Sequence, residues 1–159
     1  MSSSPVSADE RLTTLGIVLP EVPVPQAHFI PYRREGRLVF LAGQICIWNG
    51  DIRYIGRVGA DFTLAEGQAA ARICGLNLIA ALKVACDGSL DKVAACMRVG
   101  GFVNCTPEFG DVPEVINGAS ELFKEIFGSG GAHARTAVGV ASLPRRAAVE
   151  VDAIFALKD

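Results

Sequence analysis

The sequence of 159 residues has few histidines, no excess of basic residues and no long uninterrupted hydrophobic run. It has 15 Lys and Arg residues and 17 Asp and Glu residues, and the resulting net charge of −2 disfavours a basic nucleic-acid-binding surface. No hydrophobic run reaches the roughly 18 residues of a transmembrane helix, and the first residues lack the pattern of a secretory signal. We therefore expect no membrane partner, no nucleic-acid partner and a cytoplasmic location.

The sequence also lacks any spacing typical of a metal site. Its two histidines, His28 and His133, have no ligand partner at helical or hairpin spacing. The five cysteines are odd in number, have no Cys-x-x-Cys pair and lie in apolar segments, which favours buried free thiols in a reducing compartment. We predict no metal and no cofactor.

What is present is a regular alternation of helix and strand signals. Capping boxes at 7–10 and 63–66 predict the starts of two helices, the second of which continues to about Ala85. A hydrophobic stripe predicts a third helix over 113–127. Residues 1–18 are interpreted as an N-terminal helical extension and 19–159 as a single domain.

The strand signals complete an α+β fold. Strands are predicted over 37–44 and 93–106, with turns at Gly36 and at Asn49-Gly50, and a final hairpin closes the chain. The order predicts a mixed sheet with two helices packed on one face. Because the other face then lacks cover, we expect a partner subunit to supply it.

The two strands of the final predicted hairpin, ARTAVGVASLPRRAAVEV at 134–151, contain one arginine and one glutamate among small apolar residues, and its turn contains the exposed pair Arg145-Arg146. Alternation of side chains predicts that Arg135 and Glu150 share one face, over a floor that includes Ala137. Two interpretations are open. The pair forms a cross-strand salt bridge, or the guanidinium binds a carboxylate while the glutamate holds a water molecule.

The same segment resembles the C-terminal signature of the RidA (YjgF) superfamily, whose members are imine and enamine deaminases also known as endoribonuclease L-PSP proteins. The resemblance extends from about Leu19 to the C-terminus. It includes 41–44, the Ala-rich helix with Asn77, 115–120 and 131–135. It implies a chorismate-mutase-like fold in which three subunits pack their sheets into a central β-barrel, with a cleft between neighbouring subunits.

The resemblance also implies the roles of individual residues. Arg135 matches the arginine that holds the substrate carboxylate, and Glu150 matches the glutamate that positions the attacking water. Substrate contacts are expected from Gly43, Ala137, Asn117, Tyr32 and His133. The residues alone leave a structural alternative open for three of these. Asn117 would then be an amide on the helix surface, and Tyr32 would be a core or rim residue. His133 would form a hydrogen bond to a loop carbonyl.

The function implied is a homotrimeric, metal-free deaminase that hydrolyses 2-imino or 2-enamine acids to 2-keto acids and ammonia. Two departures concern the substrate: Ala137 stands where RidA proper has cysteine, and the first 18 residues are an extension. A second hypothesis is a trimer that binds a small carboxylic acid without turnover. A third hypothesis is an endoribonuclease, which the acidic pI of about 5.7 disfavours.

Overall fold

The structure is a computed structural model that describes residues 4–25 and 27–159. Its helices are α1 (Ala8–Thr14), α2 (Leu64–Ala85) and α3 (Val112–Phe127). Its strands are, in chain order, β1 (Tyr32–Glu35), β2 (Leu38–Ile45), β3 (Ile47–Trp48), β4 (Asp51–Ile52), β5 (Val93–Asn104), β6 (Ala134–Val140) and β7 (Val149–Leu157).

Both predicted capping boxes are present. Ser7 Oγ accepts a hydrogen bond from the Glu10 backbone N–H at 3.2 Å, and the Glu10 side chain accepts one from Ser7 N–H at 3.0 Å. Thr63 and Glu66 form the same reciprocal pair at the start of α2. These two local signals place the beginnings of α1 and α2 where the sequence predicted them.

Five strands form the main sheet, in the order β1-β2-β7-β5-β6, and β3 and β4 form a separate small ribbon. β6 pairs with β5 in parallel, while the other neighbours in the main sheet are antiparallel. The α+β architecture and the mixed sheet are therefore confirmed. The predicted turns at Gly36 and at Asn49-Gly50 are also present, with positive φ at all three residues.

The predicted hairpin of β6 and β7 is wrong, because β5 lies between the two strands. The connection between the two strands is not a tight hairpin turn, because β6 and β7 are not paired; within it Arg145 and Arg146 have positive φ, at 54° and 59°. It instead runs past the end of β5, where the buried amide of Asn104 donates to the carbonyl oxygens of Gly56 and Ala147. Arg145 and Arg146 are both exposed in this connection.

The helices α2 and α3 pack on one face of the sheet, and the core lies between the helices and the sheet. The close packing of α3 on β5 depends on a glycine, because a Cβ atom on Gly101 of β5 would lie 2.5 Å from the side chain of Ile116 on α3. Gly101 thus marks a close approach between the backbone of β5 and α3. The α1 helix packs beside α3, and its Leu12 joins the same core.

The other face of the main sheet is open in the single chain. Its apolar side chains include Leu38, Phe40 and Val138, which are 37%, 41% and 40% exposed.

The α2 helix is long and apolar enough, by length and composition, to cross a membrane, but 61% of its most apolar segment is buried inside the protein. We interpret α2 as the core helix of this domain.

Candidate active site

Arg135 lies on β6, the edge strand, and its side chain points toward α3. Its Nη1 donates hydrogen bonds to Asn117 Oδ1 at 2.8 Å and to Ser120 Oγ at 3.1 Å. Asn117 and Ser120 are three residues apart, so both project from one side of the helix. The helix therefore fixes the guanidinium through a single nitrogen.

The rest of the Arg135 guanidinium has no partner in the described part of the chain. Nε and Nη2 make no hydrogen bond there, and none of its salt bridges includes Arg135. The side chain is half-buried. Because two N–H groups on one edge of a guanidinium match the two oxygens of a carboxylate, this edge suits a small carboxylic acid.

His133 is bonded to Ser120 and to a loop carbonyl. Its Nδ1 is 2.6 Å from the Gly131 carbonyl oxygen, which only accepts, so Nδ1 carries the hydrogen. Nε2, 2.8 Å from Ser120 Oγ, then accepts the serine hydrogen in the neutral ring. Burial and the positive charge of Arg135 lower the pKa of His133, opposed by the bond to Gly131. His133 thus bonds the loop carbonyl, as one of its two interpretations predicted, and reaches Arg135 through Ser120.

Glu150 lies on β7 and points to the open face, opposite to the face of Arg135. Its register partner on β5 is Phe102, whereas Arg135 pairs with Val99, which is buried under the helices. The prediction that Arg135 and Glu150 share one face is therefore wrong, and so is the cross-strand salt bridge. The prediction assumed that the two strands pair directly in a hairpin, whereas β5 lies between them.

The Glu150 carboxylate lies against the backbone of Gly43 on β2. A Cβ atom at Gly43 would be 2.5 Å from Glu150 Oε1, so only glycine leaves room for the carboxylate there. Burial, followed by the negative charge of Asp152, raises the pKa of Glu150 above its ordinary value. A half-buried carboxylate with a raised pKa is suited to accept a proton from water.

Asp152 is a neighbour of Glu150 that sequence analysis missed. It lies two residues further along β7 on the same face, 3.7 Å from Nη1 of Arg98, and it accepts a hydrogen bond from Gly100 N–H at 3.1 Å. Burial raises the pKa of Asp152, while Arg98 and the Gly100 bond lower it. The period-two spacing of 150 and 152 was the signal that would have identified the pair.

Ser120 was also missed as a contact of Arg135. It follows Asn117 by three residues on the predicted helix, so the helical period places both side chains together. No spacing in the sequence connects α3 to β6, and therefore the contact with Arg135 itself was not predictable.

The remaining predicted residues divide between the two regions. Ala137 is half-buried on the Arg135 side of β6, and Gly43 lies beside Glu150. Tyr32 lies on β1, at the opposite edge of the sheet from Arg135, and packs against the core beside Leu41. We call the first region the arginine edge (Arg135, Asn117, Ala137, Ser120 and His133) and the second the glutamate face (Glu150, Gly43 and Asp152).

One chain does not bring the arginine edge and the glutamate face together. The strands of Arg135 and Glu150 are two strand spacings apart, roughly 10 Å, and the two side chains point to opposite faces. Three surface cavities of about 390, 540 and 360 Å³ are lined by other residues. The two regions therefore face separate surfaces of the single chain.

The thiols lie outside both regions. All five cysteines are free and buried, as the sequence predicted. Cys46 and Cys74 contact each other in the core, where the hydrogen bond from Cys74 lowers the pKa of Cys46 to about 6. In the described ranges, no group of three or more His, Cys, Asp or Glu residues is arranged to hold a metal ion.

Residues 9–156 match the family model described as "YjgF/chorismate mutase-like, putative endoribonuclease". Protein TCP17 of Trypanosoma cruzi is 41% identical over 150 residues, which cover 94% of this chain and 93% of that protein. The chain spans nearly the whole length of this relative.

Solved structures share the fold. Atu1372 of Agrobacterium tumefaciens, of unknown function, is 40% identical with a TM-score of 0.87 over 95% of this chain and 94% of that one. An endoribonuclease-like protein of Shewanella oneidensis is 34% identical with a TM-score of 0.91 over 95% and 99%. TdcF of Escherichia coli, crystallised with bound serine, has 24% identity and a TM-score of 0.58 over 89% and 94%, and shows the fold alone.

Proposed function

The chain belongs to the YjgF family, and from that premise we propose that it hydrolyses 2-imino or 2-enamine acids to 2-keto acids and ammonia. The observation that carries the proposal is the anchored guanidinium of Arg135, which leaves Nε and Nη2 without partners in the described residues. That edge matches the carboxylate shared by imino acids and keto acids. A different fold-mate, TdcF, binds serine, which is also a small carboxylic acid.

The placement of the two regions supports a site formed between subunits. The glutamate face of one chain would lie against the arginine edge of the next, and three chains would close a ring around the open sheet faces. The exposed side chains of Leu38 and Phe40 give that face the apolar character of a surface buried in an oligomer. A homotrimer would contain three identical clefts. Tyr32 lies far from Arg135 in its own chain, so it would reach the arginine edge only of a neighbouring subunit.

The proposed reaction needs only these side chains and water. Arg135 holds the substrate carboxylate, and Glu150 holds a water molecule and takes one of its protons as the oxygen adds to the imine carbon. That proton passes to the nitrogen and gives a carbinolamine. The proton of its new hydroxyl group then also passes to the nitrogen, by way of Glu150, as the C–N bond breaks, so that ammonia leaves and the 2-keto acid remains. Ala137 supplies no thiol, so the proposal includes no covalent intermediate on a cysteine.

The test is to generate iminopyruvate in situ and to follow the release of ammonia and pyruvate. We expect the wild-type protein to accelerate release and Arg135→Ala to abolish the acceleration, because the carboxylate loses its only bidentate partner. Arg145→Asn is the charge-matched control, since Asn tolerates the positive φ of that exposed turn. Equal rates for wild type and Arg135→Ala would refute the proposal.

Binding without turnover is a second candidate, favoured by Ala137 in place of the cysteine of RidA proper. It predicts heat of pyruvate binding that depends on Arg135, with no release of ammonia from any imine. An endoribonuclease, which the family description names, would require RNA cleavage that a site substitution abolishes. The net charge of −2 argues against that activity. We also propose a cytoplasmic location, which the five free buried thiols favour.

A further inference from the structure

Ser120 stands between the guanidinium of Arg135 and the ring of His133. Its oxygen accepts from Arg135 Nη1 at 3.1 Å, and its hydrogen is directed to His133 Nε2 at 2.8 Å. The direction is fixed because Nδ1 must donate to the Gly131 carbonyl. As long as His133 is neutral, the hydroxyl hydrogen of Ser120 is therefore donated to the histidine.

Protonation of His133 would reverse that bond without breaking the contact to arginine. Nε2–H would donate to one lone pair of Ser120 Oγ, and Arg135 Nη1 would keep the other. The hydroxyl hydrogen would then be free to turn toward a ligand. A hydroxyl accepts two hydrogen bonds and donates one, so all three groups stay satisfied.

We propose that Ser120 is a further ligand-binding residue of the Arg135 site, and that His133 is its positioning residue, which takes up a proton when a carboxylate binds. The inference rests on the proposed carboxylate binding at Arg135 but not on turnover. The proton comes from solvent and goes to Nε2, the serine keeps its own hydrogen, and no covalent bond forms.

The charges around His133 set the direction of the coupling. In the free protein, burial opposes a charged ring, and so do Arg135 from β6 and Lys124 from α3, while the Gly131 carbonyl favours it. An anion at Arg135 adds a negative charge near the ring and offers an acceptor for the released hydroxyl. Both effects raise the pKa of His133 in the complex above its value in the free protein.

Binding therefore takes up protons, and affinity rises as the pH falls through the range between the two pKa values of His133. For charges several ångströms apart near a protein surface, we expect affinity to rise about tenfold in total as the pH falls through that range. Pyruvate remains ionised throughout this range, so its own titration does not contribute.

Calorimetry with pyruvate tests the coupling, with titrations at about pH 6 in two buffers of different ionisation enthalpy. We expect net proton uptake by the wild-type protein. His133→Gln places an amide near Nε2 that does not titrate, so it should bind pyruvate without proton uptake. Ser120→Ala should bind several-fold more weakly, because the ligand loses one donor.

Glu150 needs its own control, because its raised pKa would also take up protons near an anion. Glu150→Gln should retain the uptake that His133→Gln loses. A measurement without substitutions is the NMR titration of the His133 ring, whose pKa should rise when pyruvate is present.

Pyruvate binding without proton uptake, or uptake unchanged in His133→Gln, would overturn the inference and leave the proposed function standing. Unchanged titration of the His133 ring in the presence of bound pyruvate would also overturn it. No binding of pyruvate by the wild-type protein would overturn both the inference and the carboxylate site from which it proceeds.

Discussion

The guanidinium of Arg135 is held by two side chains of α3, whereas the carboxylate of Glu150 makes no hydrogen bond to a described residue and lies against the backbone of Gly43. Arg135 is thus held in position by direct hydrogen bonds, whereas Glu150 is positioned by the room that Gly43 leaves beside it. This difference suits different tasks. A residue that binds a ligand profits from a fixed direction, while a residue that exchanges protons with water must keep its oxygens free.

The largest effect within this comparison is expected from Gly43→Ala, which fills the space beside Glu150. The new methyl group would lie 2.5 Å from Oε1 and must displace the carboxylate. We expect kcat for imine hydrolysis to fall about 100-fold with little change in KM, because a shift of about 1 Å in a reacting group has that cost. Steady-state kinetics with iminopyruvate measures both constants.

Gly110→Ala is the matched control, since nothing lies within 4 Å of a Cβ atom at Gly110. Its kinetics should equal those of the wild type. An unchanged kcat in Gly43→Ala would mean that the position of Glu150 does not matter for the reaction.

A smaller effect is expected at the arginine edge from Asn117→Ala. This substitution removes one of two partners of Nη1 and leaves Ser120 to hold the guanidinium. We expect the Kd for pyruvate to rise about tenfold, because a hydrogen bond to a charged group contributes about 1.5–3 kcal/mol and water replaces part of it. Calorimetry measures the Kd, with Asn117→Asp as a second variant. The Asp oxygen also accepts a hydrogen bond from Arg135, so this variant keeps the bond and tests whether the orientation of the guanidinium is kept with it. A Kd within error of the wild type in Asn117→Ala would contradict the role of α3.

The smallest effect is expected from Asp152→Asn. The pKa of Glu150 is raised, so the ionised base is lost, and kcat with it, as the pH falls through that raised value. Removing the charge of Asp152 lowers the pKa of Glu150, and the acid limb of the profile should move down by about 0.5 pH unit. The Asn oxygen keeps the bond from Gly100 N–H. A limb that moves upward, or that persists in Glu150→Gln, would assign the titration to another group.

Local signals in the sequence predicted most of the fold. The capping boxes at Ser7 and Thr63 and the turns at Gly36 and Asn49-Gly50 are satisfied by neighbours a few residues away, so they are readable without tertiary information. The residue pattern of the final segment placed Arg135 and Glu150 in two strands, and both strands are present. These elements could be predicted without knowing which strands pair.

The pairing of β6 was not predictable from such signals. Alternation of small and apolar residues defines two faces of a strand, but it does not say which face meets the helices. In β7 the valines Val149 and Val151 are buried under the helices, whereas Val138 of β6 points to the open face. The inserted β5 decides this, and its contact with β6 is long-range and parallel. Ser120 escaped notice for the same reason, because its role depends on a strand from elsewhere in the chain.

The central claim is that one working site combines the arginine edge of one subunit with the glutamate face of another, and subunit mixing tests it most directly. Arg135→Ala and Glu150→Gln are each expected to be inactive. When the two are mixed, unfolded and reassembled together, about a quarter of the clefts in random trimers would contain both native residues, and about a quarter of wild-type activity should return. The same proteins reassembled separately and then combined are the control. No recovery in the mixed assembly, with mixed trimers verified by mass spectrometry, would contradict a site shared between subunits.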